Sequence, residues 1–287
     1  MAPVTALRPM RDDDVPAAHE VMVAAFADLN RRFHHEEPQT ARDPSLGQVR
    51  FRRILDTDPD GCWVADDGDG VAGVALAIVR DGVWGLSLLV VRPELQSAGI
   101  GRALFDRSLE YGAGARGGIV LASPDGRALR SYARAGFALH PTLNAIGVPV
   151  GAVGCADVRP WEPGDHELAD AVDRVVRGAP HGADLDALAA GGAELLTLPG
   201  RGYAAHFDYE VKTIAAFDDE AAAALLRSVL ARVPEGRTAA VEWIGAPQQW
   251  AIDVAVATRL QLSPGGAIAL RGEVGPFRPY LPGGAYL

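Results

Sequence analysis

Apolar residues along the first half of the chain change period several times, and each change marks an element. Val15, Val21, Met22, Ala25 and Phe26 recur at helical spacing and predict a helix over 14–28. Continuous apolar runs at 71–80 and 83–91 have the length of buried strands. Asp66-Asp67-Gly68-Asp69-Gly70 precedes the first run and Arg80-Asp81-Gly82 separates the two. Asp-Gly supplies the positive φ that hairpin turns require. The first half reads as a strand at 4–8, helices at 14–28 and 45–56, and strands at 61–66, 71–80 and 83–91. A helix at 99–112, a strand at 117–122, a helix at 125–134 and strands at 137–140 and 144–149 follow. A meander that passes into strand, helix, strand predicts an α/β fold with a mixed sheet.

The pattern then starts again. Leu7-Arg8-Pro9-Met10 with Asp14 is matched about half a chain later by Val158-Arg159-Pro160-Trp161 with Asp165. Each match opens onto a helix, the second carrying apolar residues at 168, 169, 172, 175 and 176. Ala103-Leu104-Phe105 has a looser echo in Ala224-Leu225-Leu226. Two copies of one plan are expected, at 1–150 and 155–287, with Gly147 to Gly154 as a last strand or a linker.

Composition narrows the function. At 287 residues, 48% hydrophobic and 22% charged, the chain has room for two modest folded domains. Its 27 basic residues against 37 acidic ones give a net charge of −10, with Lys212 the sole lysine. Nucleic acid, which needs clustered positive charge, is excluded as a partner, whereas a cationic amine suits the field. Cys62 and Cys155 lack metal or redox spacing, so no metal site is expected and the thiols belong in a reducing compartment. Residues 1–14 hold no apolar h-region, and the apolar stretch at 71–79 is far shorter than the ~20 residues of a spanning helix. A cytoplasmic protein without membrane contact is expected.

Candidate chemistry concentrates at 86–107, LSLLVVRPELQSAGIGRALFDR, which reads strand, glycine turn, helix N-terminus. Glycines bring free amides against a ligand, and the helix dipole favours an anion there. Arg102-Ala103 after Gly101 excludes a nucleoside-triphosphate loop of the Gly-Lys-Ser/Thr form. Leu104 stands where a dinucleotide fingerprint needs glycine. What remains is Gln96-x-x-Gly99-x-Gly101, followed about 30 residues on by Ala128-x-x-x-Tyr132-x-x-x-Gly136-Phe137.

These two motifs in order, with Leu7-Arg8-Pro9 opening the chain, resemble the GCN5-related N-acetyltransferases (GNAT) over residues 4 to about 149. The resemblance implies two tandem GNAT-like folds, the second degenerate. It implies acetyl-CoA as co-substrate, its pyrophosphate on the backbone of Gln96, Ser97, Ala98, Gly99, Ile100, Gly101 and Arg102. The pantetheine arm would lie along Leu89, Val90 and Val91, with the amides of Leu89 and Val91 bonding it and one of them polarising the thioester. Tyr132 takes the place of the family's thiol-protonating tyrosine. The strand at 84–91 carries no carboxylate, so the base must come from elsewhere or from a water relay. Phe33-His34-His35-Glu36-Glu37 lies in the region that closes over the acceptor in this family, making His35 and Glu36 candidates for that role.

In the second half Phe217-Asp218-Asp219-Glu220 replaces the glycine turn, and Ala255 and Arg259 stand where Tyr132 and Gly136 stand in the first. These acidic residues repel a pyrophosphate, so this half is expected to have lost the cofactor and to cover the acceptor cleft or replace a second subunit. The aromatic tail at 275–287 is expected to pack as a final strand or at the domain interface, with Leu287 a candidate to reach the active site. The expected activity is acetyl transfer to a primary amine of a small molecule or peptide, by a monomer of two halves or a homodimer. The alternative is an acyl-CoA sensor or scaffold without catalysis.

Overall fold

The computed structural model describes residues 6–33, 44–207 and 210–287. In chain order the first half contains β1 (Ala6–Pro9), α1 (Val15–Phe33), α2 (Pro44–Thr57), β2 (Cys62–Asp66), β3 (Val71–Arg80) and β4 (Val83–Val91). It continues with α3 (Ile100–Tyr111), β5 (Gly117–Ala122), α4 (Gly126–Arg134) and β6 (Ala138–Gly147). The second half contains β7 (Arg159–Pro160), α5 (His166–Val176), α6 (Asp184–Ala190), β8 (Glu194–Leu198), β9 (Gly202–His206) and β10 (Val211–Ala216). It ends with α7 (Asp219–Leu230), β11 (Ala239–Gly245), α8 (Gln249–Ala257), β12 (Gln261–Gly272) and β13 (Tyr280–Leu281).

Both halves open with the same device. Arg8 grips Asp14 through two bonds of 2.7 and 2.8 Å, and Asp14 accepts the Arg11 amide at 2.8 Å. Arg159 grips Asp165 through two bonds of 2.8 Å, and Asp165 accepts the Glu162 amide at 2.8 Å. In each case a bidentate guanidinium ties the first strand to the turn that starts the first helix.

The strands form an eight-stranded sheet, β1-β2-β3-β4-β5-β12-β6-β11, and a five-stranded one, β13-β10-β9-β8-β7. The halves exchange their last long strands. β12, from the second half, pairs antiparallel with both β5 and β6, while β6 also pairs with β11 of the second half. The closing part of the first half's sheet is therefore built from both halves. A mixed sheet is observed: β4 and β5 run parallel, and the other ladders of this sheet are antiparallel.

One expectation is corrected. The two strands read at 137–140 and 144–149 are a single strand, β6. Pro141, which cannot donate to a ladder, lies between the two spans. Irregularities in both partners, at 264/267 of β12 and 241/244 of β11, let the ladder continue past it. Of Gly147 to Gly154, expected as a last strand or a linker, Gly147 ends β6 and 148–154 contain neither strand nor helix.

The core of the first half centres on Trp84, fully buried, whose Nε1 donates to the Ser108 carbonyl at 2.9 Å and whose ring packs on Phe105 and Phe137. The indole thus fixes the start of β4 against α3 and against the turn between α4 and β6.

Candidate active site

β4 and β5 pair only over Val83–Leu86 and Gly117–Val120. Beyond Leu86 the strands part. On its other side β4 keeps its partner, but with a shift: Leu86 faces Ala77 and Leu88 faces Leu76, which leaves Ser87 as a bulged residue. Leu88 to Val91 thus pair with β3 on one edge, and among the described residues no strand occupies the opposite edge. Such an edge presents unpaired amides and carbonyls.

From β4 the chain passes through a short turn at Pro93–Leu95 into α3. Ser97 has φ +70° and Gly99 φ +89°, left-handed conformations that favour glycine at the second position. A β-carbon at Gly99 would meet no protein atom within 4 Å, so the space before the turn is open. No side chain caps α3. Its first-turn amides therefore lack the partner a cap supplies, which makes the end an anion-binding surface.

Arg127 braces this turn from α4. Its Nη1 donates to Ser97 Oγ and its Nη2 to Gln96 Oε1, both at 3.0 Å. Asp125 caps α4 through the Arg127 amide at 2.8 Å, holds the Arg127 guanidinium at 2.6 Å, and accepts Arg32 Nη1 from α1 at 3.0 Å. The Arg127 hydrogen bonds hold the Asp125 carboxyl well below the usual carboxylate range. Gln96 Nε2 donates back to the Val91 carbonyl at 3.3 Å. One network thus joins the end of β4, the turn and two helices.

Tyr132, on α4, is buried, with its ring edge-on to Phe105 at 5.2 Å. Burial pushes its phenol above the ordinary value, so it stays protonated at neutral pH. No described residue hydrogen-bonds its hydroxyl. Ile100 is buried under the turn, Arg102 is exposed, and Leu89 is half-buried between buried Val90 and Val91. His35 and Glu36 lie outside the described residues.

The second half closes every corresponding feature. Asp218 Oδ1 accepts the Ala221 amide at 2.9 Å and caps α7, the helix that corresponds to α3. The β10 edge carries β13, with Ile214 opposite Leu281 and Ala215 opposite Tyr280. Thr213 Oγ1 adds a bond to the Leu281 carbonyl at 3.0 Å. Ala255 holds the backbone place of Tyr132: the Leu260 amide donates to Ala255 as the Phe137 amide donates to Tyr132. Arg259 is left-handed at φ +61°, as Gly136 is at +85°.

After β13 the chain crosses to the first half. Ser87 Oγ donates to the Ala285 carbonyl at 2.5 Å, Arg50 Nη2 donates to the Gly284 carbonyl at 3.2 Å, and Leu287 fills the space that a β-carbon at Gly85 would need. The tail is thus both a final strand and an inter-half contact. Sequence reasoning missed Arg127, Arg50 and Ser87. Ser87 left a signal, as the one polar residue in an otherwise apolar strand. The two arginines left none, because their partners are distant in sequence.

Residues 23–137 match the model of the Acetyltransferase (GNAT) family. That span is a GNAT-type domain. An acyl-CoA thioester as co-substrate and the mixed α/β architecture agree with it. Among solved structures, a candidate acetyltransferase from Pyrococcus horikoshii is 16% identical with a TM-score of 0.74, over 94% of this chain and 89% of that one. A tandem GNAT protein from the clavulanic acid biosynthesis pathway is 16% identical with a TM-score of 0.56, over 93% and 98%. A GCN5-related N-acetyltransferase from Sphaerobacter thermophilus is 14% identical with a TM-score of 0.56, over 93% and 95%. At these identities the likeness speaks for the fold alone. Among curated proteins none matches it. No described helix is long and apolar enough to cross a membrane. No group of three or more His, Cys, Asp and Glu among the described residues could hold a metal ion.

Proposed function

We propose that the chain is an acetyl-CoA-dependent N-acetyltransferase that moves an acetyl group directly to a primary amine of a small molecule or peptide, using one site in residues 1–150. The observation that carries this reading is the pairing of an uncapped α3 N-terminus with a vacant β4 edge, both of which the second half, 155–287, fills with its own residues.

The amides at Gln96 to Arg102 hold the pyrophosphate, and Gly99, without a side chain, leaves the space before them open. Arg127 keeps the turn in shape and adds positive charge beside it. The edge amides of Leu89 and Val91 bond the pantetheine, and one of them points a donor at the thioester oxygen. The neutral amine attacks the carbonyl carbon, an amide C–N bond forms and the C–S bond breaks. Tyr132 gives the leaving thiolate its proton, since burial keeps the phenol protonated. The proton lost by the amine leaves by a water relay, or through His35 or Glu36, because β4 offers no carboxylate. The second half supplies β12 to the sheet and the tail to the β4 bulge, and so acts as a wall of the acceptor cleft.

Titration calorimetry with acetyl-CoA, followed by a thiol-release assay over a panel of amines and amino acids, tests the reading. One molecule bound per chain and amine-dependent thiol release are expected. Absence of binding at high micromolar concentration refutes it, and binding with no release from any amine replaces the enzyme by an acyl-CoA sensor.

A further inference from the structure

Arg50 projects from α2 onto the bulge of β4. Its Nε and Nη2 donate to Ser87 Oγ at 3.0 and 2.8 Å, and Nη2 also reaches the Ser87 and Gly284 carbonyls. All of these acceptors are neutral. Among the described residues no carboxylate pairs with Arg50, and Nη1 has no partner.

The neighbouring cations are balanced. Arg53 and Arg80 share the fully buried Asp184 at 3.0 and 2.7 Å, and Arg80 also holds Asp58 at 2.8 Å. Arg50 is left as the uncompensated charge of the group, in a protein whose net charge is −10. Burial pushes its guanidinium down to about 10. Arg50 is half-buried, and a partly desolvated cation without a counter-ion favours a ligand that supplies the negative charge.

A second group at the same place is also incomplete. Tyr286 is 3% exposed, and its hydroxyl has no hydrogen-bond partner among the described residues. It stands close enough to feel the Arg50 charge. A buried, unsatisfied hydroxyl beside an unpaired guanidinium is the donor set that a carboxylate requires.

Location assigns the ligand's role. Ser87 directly follows Leu86, the last residue of β4 paired to β5, and lies two residues before Leu89. Along a strand that distance is about 7 Å. Resting on the proposed acetyl-transfer reading, we infer that Arg50, with Tyr286, anchors a carboxylate of the acceptor, which makes the acceptor an amino acid or a similar molecule with amine and carboxylate a few bonds apart.

The experiment uses the full chain and probes it with the common L-amino acids and their amides, in thiol release and in thermal shift. In wild type, acids should exceed their amides by roughly tenfold in kcat/KM and stabilise the fold where amides do not. Arg50→Lys keeps a cation on Ser87 but loses the fork, and should raise KM for acids about tenfold with acetyl-CoA affinity unchanged. Tyr286→Phe should also raise KM for acids. A merely structural hydroxyl would leave KM alone and its removal would raise stability, because a buried unsatisfied group is lost. Equal use and equal binding of acids and amides by wild type overturns the inference while leaving acetyl transfer intact. Failure to bind acetyl-CoA in the calorimetric titration overturns the reading beneath it instead. Stabilisation by acids that Arg50→Lys abolishes, even without turnover, supports the anchor.

Discussion

Asp218 and Gly99 occupy the same place in the two halves and leave opposite surfaces. The Asp218 carboxylate accepts the Ala221 amide at the start of α7, whereas Gly99 leaves the start of α3 without a side-chain partner. A helix end with an aspartate cap has fewer amides to offer a ligand and adds a negative charge where an anion would sit. In the proposed reading, the difference between a binding half and a supporting half rests on this exchange and on β13.

Gly99→Asp transfers the second half's solution to the first. Aspartate tolerates the left-handed backbone, so the fold should survive. Acetyl-CoA affinity should fall at least tenfold, on the order of 1.4 kcal/mol or more, by calorimetry. Undiminished affinity would mean that the pyrophosphate lies elsewhere.

Tyr132→Phe keeps the edge contact with Phe105 and removes only the hydroxyl. Turnover should fall by about 10²-fold with little change in acetyl-CoA affinity. Unaltered kcat would assign the thiol proton to another donor.

Residues 1–150 expressed alone should not fold. Without β12, the strands β5 and β6 lose the partner that joins them, and two long edges become exposed. Circular dichroism and size exclusion should report an unfolded or aggregated fragment, and co-expression with 151–287 should restore a soluble complex. A stable, monomeric fragment would contradict the exchanged-strand arrangement.

Asp184→Ala removes the carboxylate that Arg53 and Arg80 share across the two halves. Losing one partner from a buried ion pair costs about 3 kcal/mol or more. A urea titration should read that loss in the midpoint, and an unchanged midpoint would mean that water replaces the pair.

Alkaline pH should destabilise the protein from about pH 10 upward. Burial raises the phenols of Tyr132, Tyr203, Tyr280 and Tyr286 above the ordinary value near 10. The unfolded chain therefore releases these protons first, and the stability they contribute is complete below that pH and lost above it. Tyrosinate absorbance should appear in the native protein only as it unfolds. A smooth native titration centred on pH 10 would refute the burial.

Much of the fold is visible in local chemistry. Apolar period and Asp-Gly turns place β3 and β4 at 71–80 and 83–91, as expected, because both signals depend on neighbours in sequence. The continuity of β6 past Pro141 could not be read, since it is set by bulges in two partner strands, β11 and β12, that come about 100 or more residues later. Gln96, Gly99 and Tyr132 could be singled out because motif residues sit within one turn or helix. Arg50 could not: its meaning comes from Ser87, from a tail more than 200 residues away, and from the lack of a paired carboxylate among the described residues.

The chain alone therefore determined the elements, the two-fold repeat and the glycine turn, all encoded by hydrogen bonding and side-chain period over a few residues. Only the tertiary structure decided which strands are exchanged between the halves, that β13 fills the edge of β10, and which cation is left unpaired. Those outcomes follow from burying apolar faces and matching charges between segments far apart in sequence, where no local period carries the information.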